Sequence, residues 1–182
     1  MTDYGASSYH RYLQGDDKAL EELVKMYGDS LVRFAFCFLG NSFEAEDVME
    51  DTFVTLIVKR KKYVQKAKFK TYLFQIARNK CIDILRARKR TAPLEDHSSA
   101  PLIDPEAEVA LSDKNKLLYD CMQQLRDEYR WVLNLIYLEG FSIAEAGAIL
   151  HKNRKQVYNL LARAKSSLKE ILLKAGIDNE NF

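Results

Sequence analysis

Residues 142–165 read SIAEAGAILHKNRKQVYNLLARAK. Ser142 and Glu145 form an S-x-x-E pair, in which each side chain takes an N–H group left open at a helix start. The apolar run that follows predicts a short helix ending at His151. The tripeptide HKN makes a turn, and a long helix runs from Arg154 to about Lys174, closed by Gly176. Short helix, tight turn and longer helix make a helix-turn-helix. Gly147 stands where a small residue lets the two helices cross closely. His151 is expected in a left-handed conformation, which His adopts more readily than most side chains. Val157, Leu160, Leu161, Ala164 and Leu168 give the second helix an apolar stripe.

Working outward, the chain reads as helices throughout. Upstream, helices are expected at about 106–124 and 127–139, before Gly140 breaks the pattern. All three prolines, Pro93, Pro101 and Pro105, fall in TAPLEDHSSAPLIDPEAE, residues 91–108. That composition without apolar periodicity predicts a linker. Ahead of it, Asp16 or Asp17 can cap a helix that reaches about Gly40, with Gly28 placed to kink or divide it. Asn41 and Ser42 offer caps for the next helix, whose Glu44, Glu46 and Asp47 suit the positive end of its dipole. Val48, Phe53 and Leu56 give this helix a core side. Residues 59–68, KRKKYVQKAK, read as a basic loop or a frayed helix end. A further helix is expected over about 70–88. The predicted fold class is all-α: two small helical domains joined by a flexible linker, the C-terminal one a helix-turn-helix. The divisions fall at 1–90, 91–108 and 109–182.

Bulk composition narrows the function. No run of about 18 apolar residues is present, so no membrane span is expected. The first residues lack the basic-then-apolar pattern of a signal peptide. Cys37, Cys81 and Cys121 are widely spaced and fall in apolar helical patterns, which suggests reduced core thiols in a cytoplasm. No phosphate-binding glycine loop, metal cluster or nucleophile triad appears, so neither an enzyme nor a cofactor is expected. The net charge of +2 hides a segregation. Residues 1–56 carry 4 basic and 11 acidic groups, whereas residues 57–90 carry 13 basic groups and one acid, Asp83. A block so basic points to a polyanion, with nucleic acid ahead of an acidic protein, a membrane surface or a merely solvated face.

The helix over 70–88 divides by face. Leu73, Phe74, Ala77, Cys81, Ile84 and Leu85 share a core side. Tyr72, Gln75, Asn79, Asp83, Arg86 and Arg90 lie opposite, with Arg78 and Lys89 at the edge. A solvated face would mix Glu with Lys for i,i+4 pairing. This face instead carries an aromatic ring, amides and arginines, the groups that stack on bases and bond to their edges. The terminal Ala87–Arg90 burst is expected to touch phosphate without reading sequence.

EAEDVMEDTF (44–53), FKTYLFQIARNKCIDILRARKR (69–90) and the block 125–170 together resemble bacterial sigma factors of the sigma-seventy family, in particular the extracytoplasmic-function (ECF) group. The resemblance implies a cytoplasmic specificity subunit that binds core RNA polymerase and promoter DNA. An anti-sigma factor is a further candidate partner, and no membrane contact of the chain's own is implied. By the same resemblance, Glu46, Asp47 and Glu50 face polymerase. Lys61, Lys62, Tyr63, Tyr72, Gln75, Arg78, Asn79 and Arg86 engage the melted −10 element. Arg154, Lys155, Gln156, Tyr158, Asn159 and Arg163 read the −35 duplex from the start of the recognition helix. His151 and Lys152 stand where the family turn usually has glycine and isoleucine, and Glu50 where it often has glutamine. Two rival readings remain at this point: a regulator using the helix-turn-helix alone, and a polymerase-binding adaptor without sigma activity.

Overall fold

Asp3 caps two helices at once. Its Oδ1 accepts a hydrogen bond from the Ala6 N–H at 3.1 Å, and its Oδ2 accepts one from the Phe69 N–H at 2.7 Å. The first closes the start of α1 (Tyr4–Leu13); the second closes the start of α4 (Phe69–Thr91). The computed structural model describes residues 3–59, 67–91 and 120–176. Among these, α2 (Asp17–Leu39) and α3 (Ser42–Lys59) complete the N-terminal half. The C-terminal half has α5 (Asp127–Leu133), a π-helical turn (Asn134–Leu138), α6 (Ile143–Leu150) and α7 (Arg154–Lys174), with residues 120–123 also helical. The described residues hold no strand.

The all-α expectation is met, and most helix ends lie where the residues put them. Gly40 ends α2 with φ 65, a left-handed cap that a side chain would strain. Gly28 does not divide α2, which runs through it as one helix. The helix α1 went unread in the sequence. The region expected as a helix at 127–139 changes character midway: α-helix to Leu133, then a π turn, with the Phe141 N–H donating to the Leu135 carbonyl. Most of the expected helix at 106–124 and the linker at 91–108 lie outside the described residues.

The core of the N-terminal half gathers Leu23, Leu31, Phe34, Phe38, Leu56, Phe69, Leu73 and Phe74. Each such side chain taken fully out of water contributes roughly 1.5–3 kcal/mol before entropy is charged against it. This core continues into the C-terminal half. The Phe38 and Trp131 rings stack at 4.6 Å, and the Phe74 and Phe141 rings meet edge to face at 4.9 Å. Both pairs join residues on opposite sides of the 91–108 segment.

The halves also bury polar atoms without hydrogen-bond partners among the described residues: Arg78 Nε, Arg130 Nε, Trp131 Nε1 and Asn134 Oδ1. An orphaned buried donor or acceptor costs about 1–3 kcal/mol. The contact between halves therefore combines a gain from aromatic burial with a polar cost.

Candidate functional site: three faces of the helices

The first face lies on α3. Ala45, Val48, Phe53 and Leu56 are buried, and Thr52 is buried with its hydroxyl donating to the Val48 carbonyl. That orientation leaves Phe43, Asp47, Glu50, Val54 and Val58 on one outward stripe at helical spacing, all exposed. Phe43 is 67% and Val58 74% exposed. Glu46 is exposed beside them, so all three acids expected to face polymerase share a solvent-open surface. The apolar members, Phe43, Val54 and Val58, were missed in the sequence. Their signal was present as apolar residues out of phase with the core side. Acids flanked by exposed apolar side chains can bind a partner that is basic and apolar together.

The second face lies on α4. Its core side is as expected in kind: Leu73, Phe74, Ala77 and Cys81 are buried, and Ile84 and Leu85 half-buried. The opposite side departs from expectation. Asn79 and Arg86 are exposed, but Tyr72, Gln75 and Arg78 are half-buried. The Gln75 Nε2 donates to the Ala148 carbonyl of α6 at 2.9 Å. The Arg78 guanidinium lies over the Trp131 ring, 5.7 Å from its centre, and donates to the Asn79 side-chain oxygen at 3.2 Å. Burial is the larger cause that lowers the Arg78 pKa, and Arg86 adds to it. Burial likewise raises the Tyr72 hydroxyl.

Two basic neighbours are also engaged. Lys70 Nζ donates to the Glu139 carbonyl at 2.8 Å and lies 3.2 Å from its carboxylate. Lys68 pairs with Glu145 at 2.9 Å. The expectation for the Ala87–Arg90 burst needs correcting at one residue. Arg88 is tied to the Leu39 carbonyl at 3.0 Å and to the Glu44 carboxylate, which pins α4 to the α2–α3 corner. Lys89 and Arg90 are exposed. Lys61, Lys62 and Tyr63 lie outside the described residues.

The third face is the start of α7. Val157, Leu160 and Ala164 are buried and Leu161 and Leu168 half-buried, so the opposite side turns outward. Arg154, Lys155, Gln156, Tyr158, Asn159 and Arg163 are all exposed on it. Two capping boxes hold the motif. Ser142 and Glu145 close α6 as expected. Asn153 and Gln156 close α7, which the sequence reading missed; the Gln156 Oε1 accepts from the Asn153 N–H at 2.8 Å. Burial works to raise the Glu145 pKa, but hydrogen bonds from Ser142 and the Lys68 ammonium outweigh it and hold it low.

His151 takes φ 55, the left-handed turn expected of it. Gly147 answers to a closer neighbour than a crossing helix. A Cβ there would stand 2.6 Å from the Lys152 carbonyl oxygen, so the turn folds back on α6 and needs a residue without a side chain. Lys152 swings its ammonium to Glu128 at 3.0 Å, tying the turn to α5. A cleft of about 430 Å³ beside the motif is lined by Arg126, Asp127, Glu128, Tyr129, Leu160 and Arg163. No helix of the described residues is long and apolar enough to cross a membrane.

Two family models match the chain: Sigma-70 region 2 over residues 23–91 and Sigma-70 region 4 over residues 115–168. The ECF RNA polymerase sigma factor SigF of Caulobacter vibrioides is 31% identical, over 91% of this chain and 92% of its own. SigM of Bacillus subtilis, another ECF sigma factor, is 29% identical over 88% of this chain and 99% of its own. Among solved structures, CnrH in complex with the cytosolic domain of CnrY aligns with a TM-score of 0.71 at 25% identity, covering 94% of this chain and 98% of that one. The sigma factor RpoE of Bartonella quintana, solved with the anti-sigma factor NepR, shares the fold at a TM-score of 0.65.

Proposed function

The chain belongs to the ECF group of sigma-70 RNA polymerase sigma factors, and from that premise we propose which of its faces does which part of promoter recognition. Its function is to bind core RNA polymerase and direct transcription initiation. Both sigma regions are matched, one in each half, so a regulator using the helix-turn-helix alone is not favoured.

The α3 stripe docks on polymerase. Asp47 and Glu50, with Glu46 beside them, supply charge, and Phe43, Val54 and Val58 supply apolar area. The α4 face takes the melted −10 strand. Tyr72 offers a stacking surface, Gln75 and Asn79 offer amides to base edges, and Arg78 and Arg86 offer cations, joined by Lys61, Lys62 and Tyr63. The start of α7 enters a −35 major groove, with Arg154 and Lys155 on phosphates and Gln156, Tyr158, Asn159 and Arg163 near base edges. The division into a 1–90 polymerase and −10 domain, a 91–108 linker and a 109–182 −35 domain belongs to the same reading. So does a cytoplasmic, non-catalytic role without a cofactor. An anti-sigma factor fits as a further partner, because RpoE was solved with the anti-sigma factor NepR and CnrH with the cytosolic domain of CnrY.

The observation that carries this assignment is the exposure of all six α7 residues on one face while acids and apolar groups share the other outward face on α3. Run-off transcription with core polymerase on a randomised promoter library tests it. Asp47→Arg with Glu50→Arg should abolish co-purification with core polymerase and leave the isolated chain folded. Asn79→Ala should leave core binding intact and lower open-complex formation about tenfold, as expected for loss of about 1.4 kcal/mol of strand contact. Equal loss of both activities in the Asn79 variant would remove α4 from the strand-reading role.

A further inference from the structure

The cleft beside the helix-turn-helix carries a charge that its lining conceals. Arg126, Asp127 and Glu128 at the head of α5 face Arg163 of α7 across it, so its formal charges cancel. Both carboxylates, however, are answered from outside the cleft. Asp127 accepts from the Arg130 guanidinium at 2.5 Å, and Glu128 pairs with the Lys152 ammonium at 3.0 Å. Arg126 and Arg163 are exposed, and among the described residues no carboxylate pairs with either. The charge left open to water is positive.

Arg126 is also held in place. Its guanidinium lies 4.7 Å from the centre of the Tyr129 ring and donates to the Tyr129 hydroxyl oxygen at 2.7 Å. Tyr129 is itself buried where α5 packs on α7. The Arg126 donors not spent on Tyr129 remain for another acceptor. The position of the cleft says which acceptor. An α-helix with its side chains is about as wide as a major groove, roughly 10–12 Å against about 12 Å, so a helix seated in the groove has a DNA backbone along each flank. Arg163 stands on the flank of α7 that faces α5, and Arg126 lies across the cleft from it.

We propose that this cleft clamps a phosphate of the duplex backbone, with Arg126 as a further −35 contact and Tyr129 as the residue that positions it. The inference rests on the reading that α7 enters a −35 major groove. Two parallel N–H bonds from one guanidinium match two phosphate oxygens. Such a contact carries no base information; it fixes how α7 sits in the groove. The Arg130 and Lys152 pairs keep the acids of the cleft from repelling the strand.

The test uses the full chain bound to core polymerase, titrated over a range of salt with labelled duplexes recovered from the randomised promoter library. Arg126→Gln should weaken every recovered duplex by a similar factor, about three- to tenfold at low salt, and lower the salt slope by about 0.9 units. Arg126→Lys keeps a cation, so it should restore the slope while regaining only part of the affinity, because an ammonium does not make the two parallel bonds. Tyr129→Phe should weaken binding about two- to fivefold with the slope unchanged, since it frees Arg126 without removing its charge.

A folded Arg126→Gln protein with an unaltered salt slope overturns the proposal even if its affinity falls, because a merely structural loss does not change the number of phosphates neutralised. A loss confined to some −35 sequences overturns it too, since Arg126 then reads a base. Unaltered affinity in Tyr129→Phe overturns the positioning role. The two readings fail separately. If Arg154→Ala with Lys155→Ala lowers the slope and Arg126→Gln does not, the cleft fails alone; if neither lowers it, the seating of α7 in the groove fails. Should Arg126→Gln not fold, Arg126→Met, which keeps an apolar stem over the Tyr129 ring, is measured in its place with the same expectations.

Discussion

Cys37 and Cys81 are chemically silent because of where the α2–α4 packing puts them. Burial is the first cause in both cases; it pushes the Cys37 thiol up to about 11 and Cys81 up to about 12. Arg130 and Asn134 pull Cys37 the other way and do not win. Only the thiolate attacks a disulfide reagent, and at pH 8 about one Cys37 in a thousand is ionised. Ellman's reagent should therefore label the folded protein at these sites only at the rate of unfolding, and promptly in denaturant. The sign of the pH effect follows. A raised folded-state pKa means the unfolded chain loses its thiol protons first as pH climbs. The stabilisation is complete below pH ~8.5 and is lost progressively toward the folded values. Chemical denaturation midpoints should fall from pH 9 upward, and a Cys37→Ala, Cys81→Ala variant should show a shallower fall.

At the scale of the element, α7 is aimed by its cap. Asn153→Ala removes the acceptor of the Gln156 N–H, 2.9 Å away, and leaves of the capping box only the bond from the backbone N–H of residue 153 to the Gln156 side chain. The expected cost is about 1 kcal/mol of stability. Because the cap and the residues proposed to face the groove occupy the same first turn, binding of a −35 duplex should weaken more than that loss of folded protein explains. Fluorescence anisotropy on duplex DNA, beside a melting curve, separates the two.

The same element shows what the sequence made legible. Periodicity located α6, α7 and the buried side of α4, because a helix repeats its apolar positions every 3.6 residues wherever its core lies. It could not see that Gln75 and Arg78 are covered, since their partners Ala148 and Trp131 are far along the chain and a helical projection contains only one helix. The helix α1 escaped for a different reason. Its buried residues are Gly5, Ala6, Ser8 and Tyr9, and three of the four are too small or polar to register as an apolar stripe. Gly5 is required there by contact, since a Cβ would meet the Tyr27 hydroxyl at 2.4 Å. The exposed apolar residues of α3 were visible in the sequence, but a partner rather than this chain gives them meaning.

On the scale of the whole molecule, the charges proposed to meet polymerase and those proposed to meet a duplex are sorted onto different helices. The acids of α3 sit outward on one helix, and the cations of α7 on another. Duplex affinity at the −35 end should therefore fall steeply with salt, by about 0.9 log units per decade for each phosphate contacted. Replacing Arg154 and Lys155 by Ala should flatten that slope by about 1.8 units while leaving polymerase association unchanged; an unaltered slope would move the phosphate contacts elsewhere on the chain.

Asp3 adds an order in time to this arrangement. Its carboxylate accepts from Phe69, 66 residues later, so during synthesis Asp3 waits several seconds for its second partner to be made. Until then Asp3 has no α4 to cap, and the rings of Tyr9 and Tyr27 have no Phe69 to lie against. Asp3 thus acts as a latch on the completion of the N-terminal half, and anything fused directly ahead of it is carried to the threshold of the helix that we assign to the promoter strand.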